Sequence, residues 1–282
     1  NYVYGSSQHG VVSRSVNGGT VNAGFTMVAG AEFPGVDQVS MFQTPFMIGY
    51  SNPKHMFYGA HDLFMCYNIK ATDIGDIFYR KKSEDLTSTN QDEKIEFIEQ
   101  SRADSNIVYI AYENGRMFRC DNILNLTSNA WTELPNPEGN YWEGIRFESH
   151  STLADVVYMV KGQKVYKSAN RGGTWEDITG TLPKLGMMSV AYMHGSDDGL
   201  YIGTTAGVYY KENSMPEWQL FKTGLPLTQV RDLVINYSTT PPQIFASTFG
   251  RGIWKTTVLN SYKHDLVVLS GSATVNNTNA SA

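Results

Sequence analysis

MMSVAYMHGSDDGLYIGTTAGVYYKENSMPEWQLFKT, residues 187–223, reads as four short strands in succession. The pieces are MMSVAYM (187–193), GLYIGTT (199–205), GVYYKE (207–212) and EWQLFKT (217–223), designated A to D in that order. Each is rich in aromatic, β-branched or other apolar residues, and the gaps between them carry Gly, Asp, Asn, Ser and Pro, the residues that turn a chain. Alternation within the pieces is imperfect, as expected where both faces of a small sheet are covered.

The B–turn–C part of this unit recurs along the chain. It reads YVYGSSQHGVVSRSVN from Tyr2, HMFYGAHDLFMCYN from His55, NIVYIAYENGRMFRCDN from Asn106, DVVYMVKGQKVYKSAN from Asp155, GLYIGTTAGVYYKEN from Gly199 and QIFASTFGRGIWKTT from Gln243. Anchored on Tyr2, Tyr58, Tyr109, Tyr158, Tyr201 and Phe245, the copies stand about 43 to 56 residues apart, the interval of a four-stranded blade rather than a solenoid turn. The fold expected is therefore all-β, a β-propeller with about six visible four-stranded blades over residues 1–258, possible also as part of a larger propeller or a propeller pair. The first copy begins at strand B and the sixth stops after strand C near Val258, so either the termini share a blade or further blades belong to sequence before Asn1. Residues 259–282, with the polar run SGSATVNNTNASA, are expected to form a linker or to begin a further β module.

Aligning the ends of the C strands brings Ser15, Cys66, Cys120, Ser168 and Lys211 into one column, and Asn17, Asn68, Asn122, Asn170 and Asn213 into a second. In the fourth copy the run continues as Ser168-Ala169-Asn170-Arg171-Gly172-Gly173-Thr174-Trp175, which matches S-x-D-x-G-x-T-W with Asn for Asp. Here the chain resembles the Asp-box (BNR, sialidase-like) propellers, among them sialidases, xyloglucanase-like glycosidases and sortilin-type receptors. GLYIGTTAGVYYKE and ASTFGRGIWKT are also similar to the C-terminal propeller portions of large secreted Bacteroidota-type surface proteins. The resemblance implies a secreted or cell-surface bacterial protein. It also implies a structural role for Ser168, Asn170, Gly172, Thr174 and Trp175, in a turn on the edge opposite the ligand face. In such a turn the small polar side chains bond nearby backbone groups, the glycine permits close or unusual backbone, and the tryptophan packs between blades.

Composition narrows the remaining classes. The net charge of −5 and the scattering of 22 Lys and Arg provide no basic stripe, which argues against nucleic acid as a partner. No run is long and apolar enough for a membrane span. With only Cys66 and Cys120 there is no disulfide framework, and equivalent columns of adjacent blades are too far apart to bridge, so both are expected as buried thiols. The six His are dispersed and no pair has zinc-ligand spacing, so neither a metal nor a cofactor is expected. The chain opens on Asn1 without a methionine or an apolar leader, which reads as a processed or trimmed N-terminus.

On a propeller a ligand meets the face made by the B–C and D–A loops. The B–C set contains Gln8 and His9, His61 and Asp62, Glu113 and Asn114, Lys161 and Gln163, then Phe249 and Arg251; Tyr141, Trp142 and Glu143 stand out in a D–A loop. Aromatic rings stack on sugar faces and adjacent polar groups bond hydroxyls, so Tyr141, Trp142, His61 and Arg251 are candidate ligand contacts. Glycosidic hydrolysis needs two carboxylates flanking the bond, and Asp62, Glu113 and Glu143 are the candidates. The Arg-Ile-Pro signature of sialidases and the G-x-S-x-G elbow are both absent. The expectation is a non-catalytic extracellular binding or scaffold propeller of an exported bacterial surface protein, engaging a glycan or a protein ligand at its loop face. The alternative is a glycoside hydrolase, xyloglucanase-like or sialidase-like, whose active site is completed by an N-terminal portion of the same protein; a third reading is a rigid spacer.

Overall fold

The computed structural model describes residues 1–20, 24–84, 86–87, 93–125, 130–137, 144–221 and 224–259. It contains six antiparallel sheets of three or four strands. Blade 1 is β1 (Val3–Ser6), β2 (Val12–Ser15) and β3 (Thr26–Ala29), and blade 2 is β4 (Phe46–Ile48), β5 (Met56–Gly59), β6 (Leu63–Cys66) and β7 (Tyr79–Lys81). Blade 3 is β8 (Ile95–Gln100), β9 (Val108–Tyr112), β10 (Met117–Cys120) and β11 (Trp131–Glu133). Blade 4 is β12 (Ile145–Ser149), β13 (Val157–Lys161), β14 (Lys164–Ser168) and β15 (Glu176–Asp177). Blade 5 is β16 (Met187–Tyr192), β17 (Leu200–Thr204), β18 (Gly207–Lys211) and β19 (Gln219–Phe221), and blade 6 is β20 (Val230–Asn236), β21 (Gln243–Thr248) and β22 (Gly252–Thr257). The repeated B and C segments are thus strand pairs, and the four pieces of residues 187–223 are the four strands of blade 5. Among the described residues, no helix is long and apolar enough to cross a membrane.

In blades 2 to 5 both faces of the second strand are buried because consecutive blades share their cores, whereas β21 of blade 6 is only partly buried. Met56 and Tyr58 of β5 pack towards blade 1 with Val12, Val28 and Phe33, whereas Phe57 of the same strand packs towards blade 3 with Ile95, Val108 and Tyr112. The next seams repeat this: Val157 and Met159 face blade 3, and Tyr158 and Val160 face blade 5. A strand with this environment shows no polar–apolar alternation, which is the physical origin of the weak period in the sequence. The A strands β8, β12, β16 and β20 lie side by side around the axis.

The turn after β14 is closed by side chains. Ser168 Oγ accepts from the Gly172 N–H at 2.8 Å, and Asn170 Oδ1 accepts from the Thr174 N–H at 2.8 Å. A Cβ on Gly172 would stand 2.9 Å from Leu134 of blade 3. Trp175 stacks on Phe147 at 6.2 Å and donates its indole N–H to the Pro135 carbonyl at 3.0 Å. In blade 1, Gly19 N–H likewise donates to Ser15 Oγ, at 3.2 Å. Asn170→Ala is expected to lower stability by about 1–2 kcal/mol through the loss of these bonds, with ligand affinity unchanged. Thermal melting and a binding titration of the same variant check it; unchanged melting with lost binding would refute a structural role.

Cys66 and Cys120 are free and buried at the ends of β6 and β10, and burial pushes both thiols up from their ordinary pKa.

Candidate functional site: two mouths of the axial channel

The end of the molecule formed by the D–A and B–C connections opens into a bowl of about 780 Å³. Gln43 and Gln229 line it from segments entering β4 and β20, Thr205 from the β17–β18 turn, and Phe249 and Gly250 from the β21–β22 turn. The A strands also feed it. Pairing shifts register between Ile95 and Phe97, between Met187 and Ser189, and between Val230 and Asp232. The residues inside these three irregularities, Glu96, Met188 and Arg231, all line the bowl. An extra residue in one strand re-aims a side chain, and here it does so at the same height in three blades.

Among the described residues the bowl is polar, with one large exposed ring. Phe249 is 66% exposed and the Arg231 guanidinium lies over it, 5.1 Å from the ring centroid. Arg146 sits over Phe97 at 5.1 Å, and its Nη1 is 3.9 Å from Glu96 Oε1. Glu96 Oε1 also accepts from the Ile145 N–H at 2.7 Å. Burial raises the Glu96 pKa; Arg146 and the Ile145 N–H oppose this, and the charge of Glu113 adds to it. A ring flanked by amides, hydroxyls and guanidinium groups is suited to a sugar, whose apolar face stacks while its hydroxyls take hydrogen bonds.

The opposite mouth, at the A–B connections, holds a cavity of about 230 Å³ and a hydrogen-bonded chain of side chains from successive blades. Glu99, 3% exposed, accepts from Ser149 Oγ at 2.8 Å and from Tyr50 Oη at 3.2 Å. Tyr50 Oη accepts in turn from Arg102 Nη2 at 3.0 Å, and the guanidinium covers the Tyr50 ring at 3.7 Å. Arg102 Nε lies 3.7 Å from Glu148 Oε1, which accepts from the Tyr192 N–H at 3.3 Å. Tyr237 Oη donates to the Tyr192 carbonyl at 3.2 Å and accepts from the His194 N–H at 2.9 Å, and its ring stacks on the His194 imidazole at 4.1 Å. Burial, reinforced by the Glu99 charge, pushes Glu148 up to about 8. Burial, with Arg102 and His150 nearby, pulls His194 down to about 4. This mouth is a largely hydrogen-bonded polar cluster that leaves Arg102 Nε without a hydrogen-bond partner among the described residues, and its environment favours the neutral forms of Glu148 and His194.

The residues singled out from sequence are dispersed by the fold. Asp62 is buried at the β5–β6 turn, where it accepts from Gln38 Nε2 at 2.9 Å and pairs with Lys81 at 3.2 Å. His61 is buried beside it, with Nδ1 2.8 Å from the Glu93 carbonyl. Glu113 is exposed at the β9–β10 turn, its N–H bonded to the Lys94 carbonyl at 3.0 Å. Arg251 is exposed and follows Gly250, a lining residue of the bowl, and its carbonyl accepts from the Trp254 indole at 3.0 Å. Tyr141, Trp142 and Glu143 lie outside the described residues. The charged bowl residues that the sequence did not single out are Glu96, Arg146 and Arg231. They stand in A strands rather than loops, and only the register shifts bring Glu96 and Arg231 to the mouth.

No protein-family model and no curated protein sequence matches the chain. Solved structures do match in fold. The chain is similar to the GH74 enzyme of Niastella koreensis, with a TM-score of 0.59 and 12% identity over 90% of this chain and 35% of that one. It is also similar to an ancestral GH74 enzyme, with a TM-score of 0.56 and 16% identity over 94% of this chain and 39% of that one. A third match is the extracellular domain of a putative hybrid two-component system from B. thetaiotaomicron, with a TM-score of 0.53 and 13% identity over 90% of this chain and 37% of that one. The chain therefore spans little more than a third of the length of each of these proteins. At these identities the likeness concerns the propeller fold.

Proposed function

We propose that this chain is a binding propeller of an exported bacterial surface protein, that its ligand is a glycan, and that the glycan seats in the bowl at the D–A and B–C end. The observation that carries this reading is the exposed Phe249 ring, backed by Arg231, on the rim of a polar bowl of about 780 Å³. The Ser168–Trp175 turn acts as an Asp-box turn and only holds the blades together, since its polar groups are engaged by its own backbone. Export is supported by likeness in fold to a bacterial extracellular domain.

Phe249→Ala is expected to weaken glycan binding roughly tenfold, the scale of one aromatic stacking contact of about 1–1.5 kcal/mol. Calorimetric titration of oligosaccharides into the protein and the variant, with cleavage followed in the same samples, checks this. Equal affinities would remove the bowl from the binding site, and binding of a protein ligand without any glycan would replace the glycan reading by the scaffold one.

A glycoside-hydrolase reading is favoured by one feature, the half-buried Glu96 carboxyl, whose pKa is raised by desolvation and, more weakly, by the charge of Glu113. A carboxyl of this kind suits a general acid. Release of reducing ends during the titration would favour hydrolysis, and recovery of intact glycan would favour binding alone.

A further inference from the structure

The lining of the bowl is unlike the protein as a whole in charge. The chain carries a net charge of −5, yet among the described residues the bowl presents the guanidinium groups of Arg146 and Arg231 against the single carboxyl of Glu96. Arg251, which is exposed, follows Gly250 of this lining in the chain. Glu96 is already engaged by Ile145 N–H and Arg146, and Asp232, which also acts on Arg146, lines the channel cavity beneath rather than the bowl.

Arg231 is poised differently from Arg146. Its Nη2 donates to Gln229 Oε1 at 3.2 Å, its plane is braced on Phe249, and among the described residues no carboxylate forms an ion pair with it or with Arg251. Arg146 and Arg231 act on one another as like charges across the bowl. A guanidinium keeps its proton under any ordinary condition, so Arg231, paired with no carboxylate among the described residues, presents a fixed positive charge to the bowl beside the Arg146–Glu96 pair. The bulge at Val230–Asp232 is what turns Arg231 to the bowl and sends Asp232, the neighbour that would neutralise it, to the channel side.

We propose that the bowl selects anionic glycans, with Arg231 and Arg251 pairing the carboxylate or sulfate group of a sugar whose ring stacks on Phe249. This rests on the glycan-binding reading above and adds the charge of the ligand. Carboxylate and sulfate share the planar or tripodal oxygen geometry that a guanidinium fork grips.

The test uses three probes of equal length: an oligogalacturonate, a sulfated cello-oligosaccharide and the unsubstituted cello-oligosaccharide. The charged probes are expected to bind about tenfold or more tighter than the neutral one at low salt, and this advantage should shrink as salt is raised. Arg231→Gln, with Arg251→Gln beside it, is expected to weaken the charged probes severalfold more than the neutral one and so to remove most of that advantage; unchanged melting shows that both variants fold. Preference for one charged probe over the other identifies the anionic group. Neutral and charged probes binding alike, or charged-probe affinity indifferent to both Arg variants, overturns the charge selection while Phe249-dependent binding survives. Failure of all three probes to bind overturns the glycan reading together with it.

Discussion

Glu148→Gln is expected to stabilise the protein, and by an increasing margin as the pH rises from about 4.5 towards 8. Glu148 is placed by β12 at the mouth of the A–B connections, facing Glu99 from β8, Arg102 from the loop after β8, the Tyr192 N–H of β16 and, more weakly, Asp232 of β20. Burial and the Glu99 charge disfavour its ionised form more than Arg102 and the Tyr192 N–H favour it, which is why its pKa stands near 8. A carboxyl raised in this way binds more protons in the folded than in the unfolded chain. Its contribution is whole below the unfolded value of 4.5 and is lost as pH climbs through the folded value. Gln carries no such proton, so the variant gains on the parent by up to about 1.4 kcal/mol per pH unit across that window, a few kcal/mol in all as an order of magnitude. Gln also keeps an acceptor for the Tyr192 N–H. Denaturant titrations at pH 5, 6.5 and 8 measure it: diverging stability curves are expected, and parallel ones would mean that Glu148 is ionised in the native state.

Glu99 and Glu148 are also related through the sequence repeat. Glu99 pairs with Tyr109 and Glu148 with Tyr158, and both tyrosines are anchors of that repeat. The two carboxyls therefore occupy one column, which in β4, β16 and β20 is held by Phe46, Ala191 and Val234. The repeat makes the blades readable because its strongest members, strands B and C, are largely buried in blades 2 to 5 and are there apolar and aromatic. The D strands are harder to read, since Glu176–Asp177 of β15 is two exposed polar residues that owe their strand to pairing with Tyr166 and Lys167.

The bowl is legible in the sequence through its loops alone. Phe249 and Arg251 follow from the B–C register, whereas Glu96 and Arg231 depend on bulges in IEF and VRD, segments whose sequences share no turn residue. His61 and Asp62 read as loop polar groups for the same reason that Phe249 does. What buries them is partners far along the chain: Gln38 reaches Asp62 from the segment before β4, and the Tyr112 hydroxyl of β9 donates to the His61 carbonyl at 2.9 Å. A loop position fixes which edge of the blade a side chain occupies; neighbouring blades decide whether it meets solvent.

Gly35→Ala is expected to cost stability on the order of 4 kcal/mol, a fall in Tm of roughly 10 °C for a chain of this size. Gly35 lies between blades 1 and 2 with φ +82, and a Cβ there would fall 1.9 Å from the Tyr79 carbonyl oxygen and 2.7 Å from its carbon. The obstacle is backbone, not a side chain that can swing away. The preceding residue is also tied to the same place, since Pro34 accepts the Tyr79 N–H at 3.1 Å, so any retreat of the loop lengthens that bond. Phe33, two residues earlier, packs edge-on against the Tyr79 ring at 6.1 Å and belongs to the shared core of the two blades. Displacing the loop therefore combines three effects in one methyl group: left-handed strain of about 1–2 kcal/mol, overpacking of about 1–3 kcal/mol, and loosening of a buried hydrogen bond and ring contact. Gly195→Ala is the matched control, because its φ of +77 imposes the same strain while nothing lies within 4 Å of the added carbon. The melting temperatures of the two variants separate the terms: Gly195→Ala should lose only the strain, and a Gly35→Ala protein melting alongside it would show that the seam between blades 1 and 2 yields to the new methyl group at little cost.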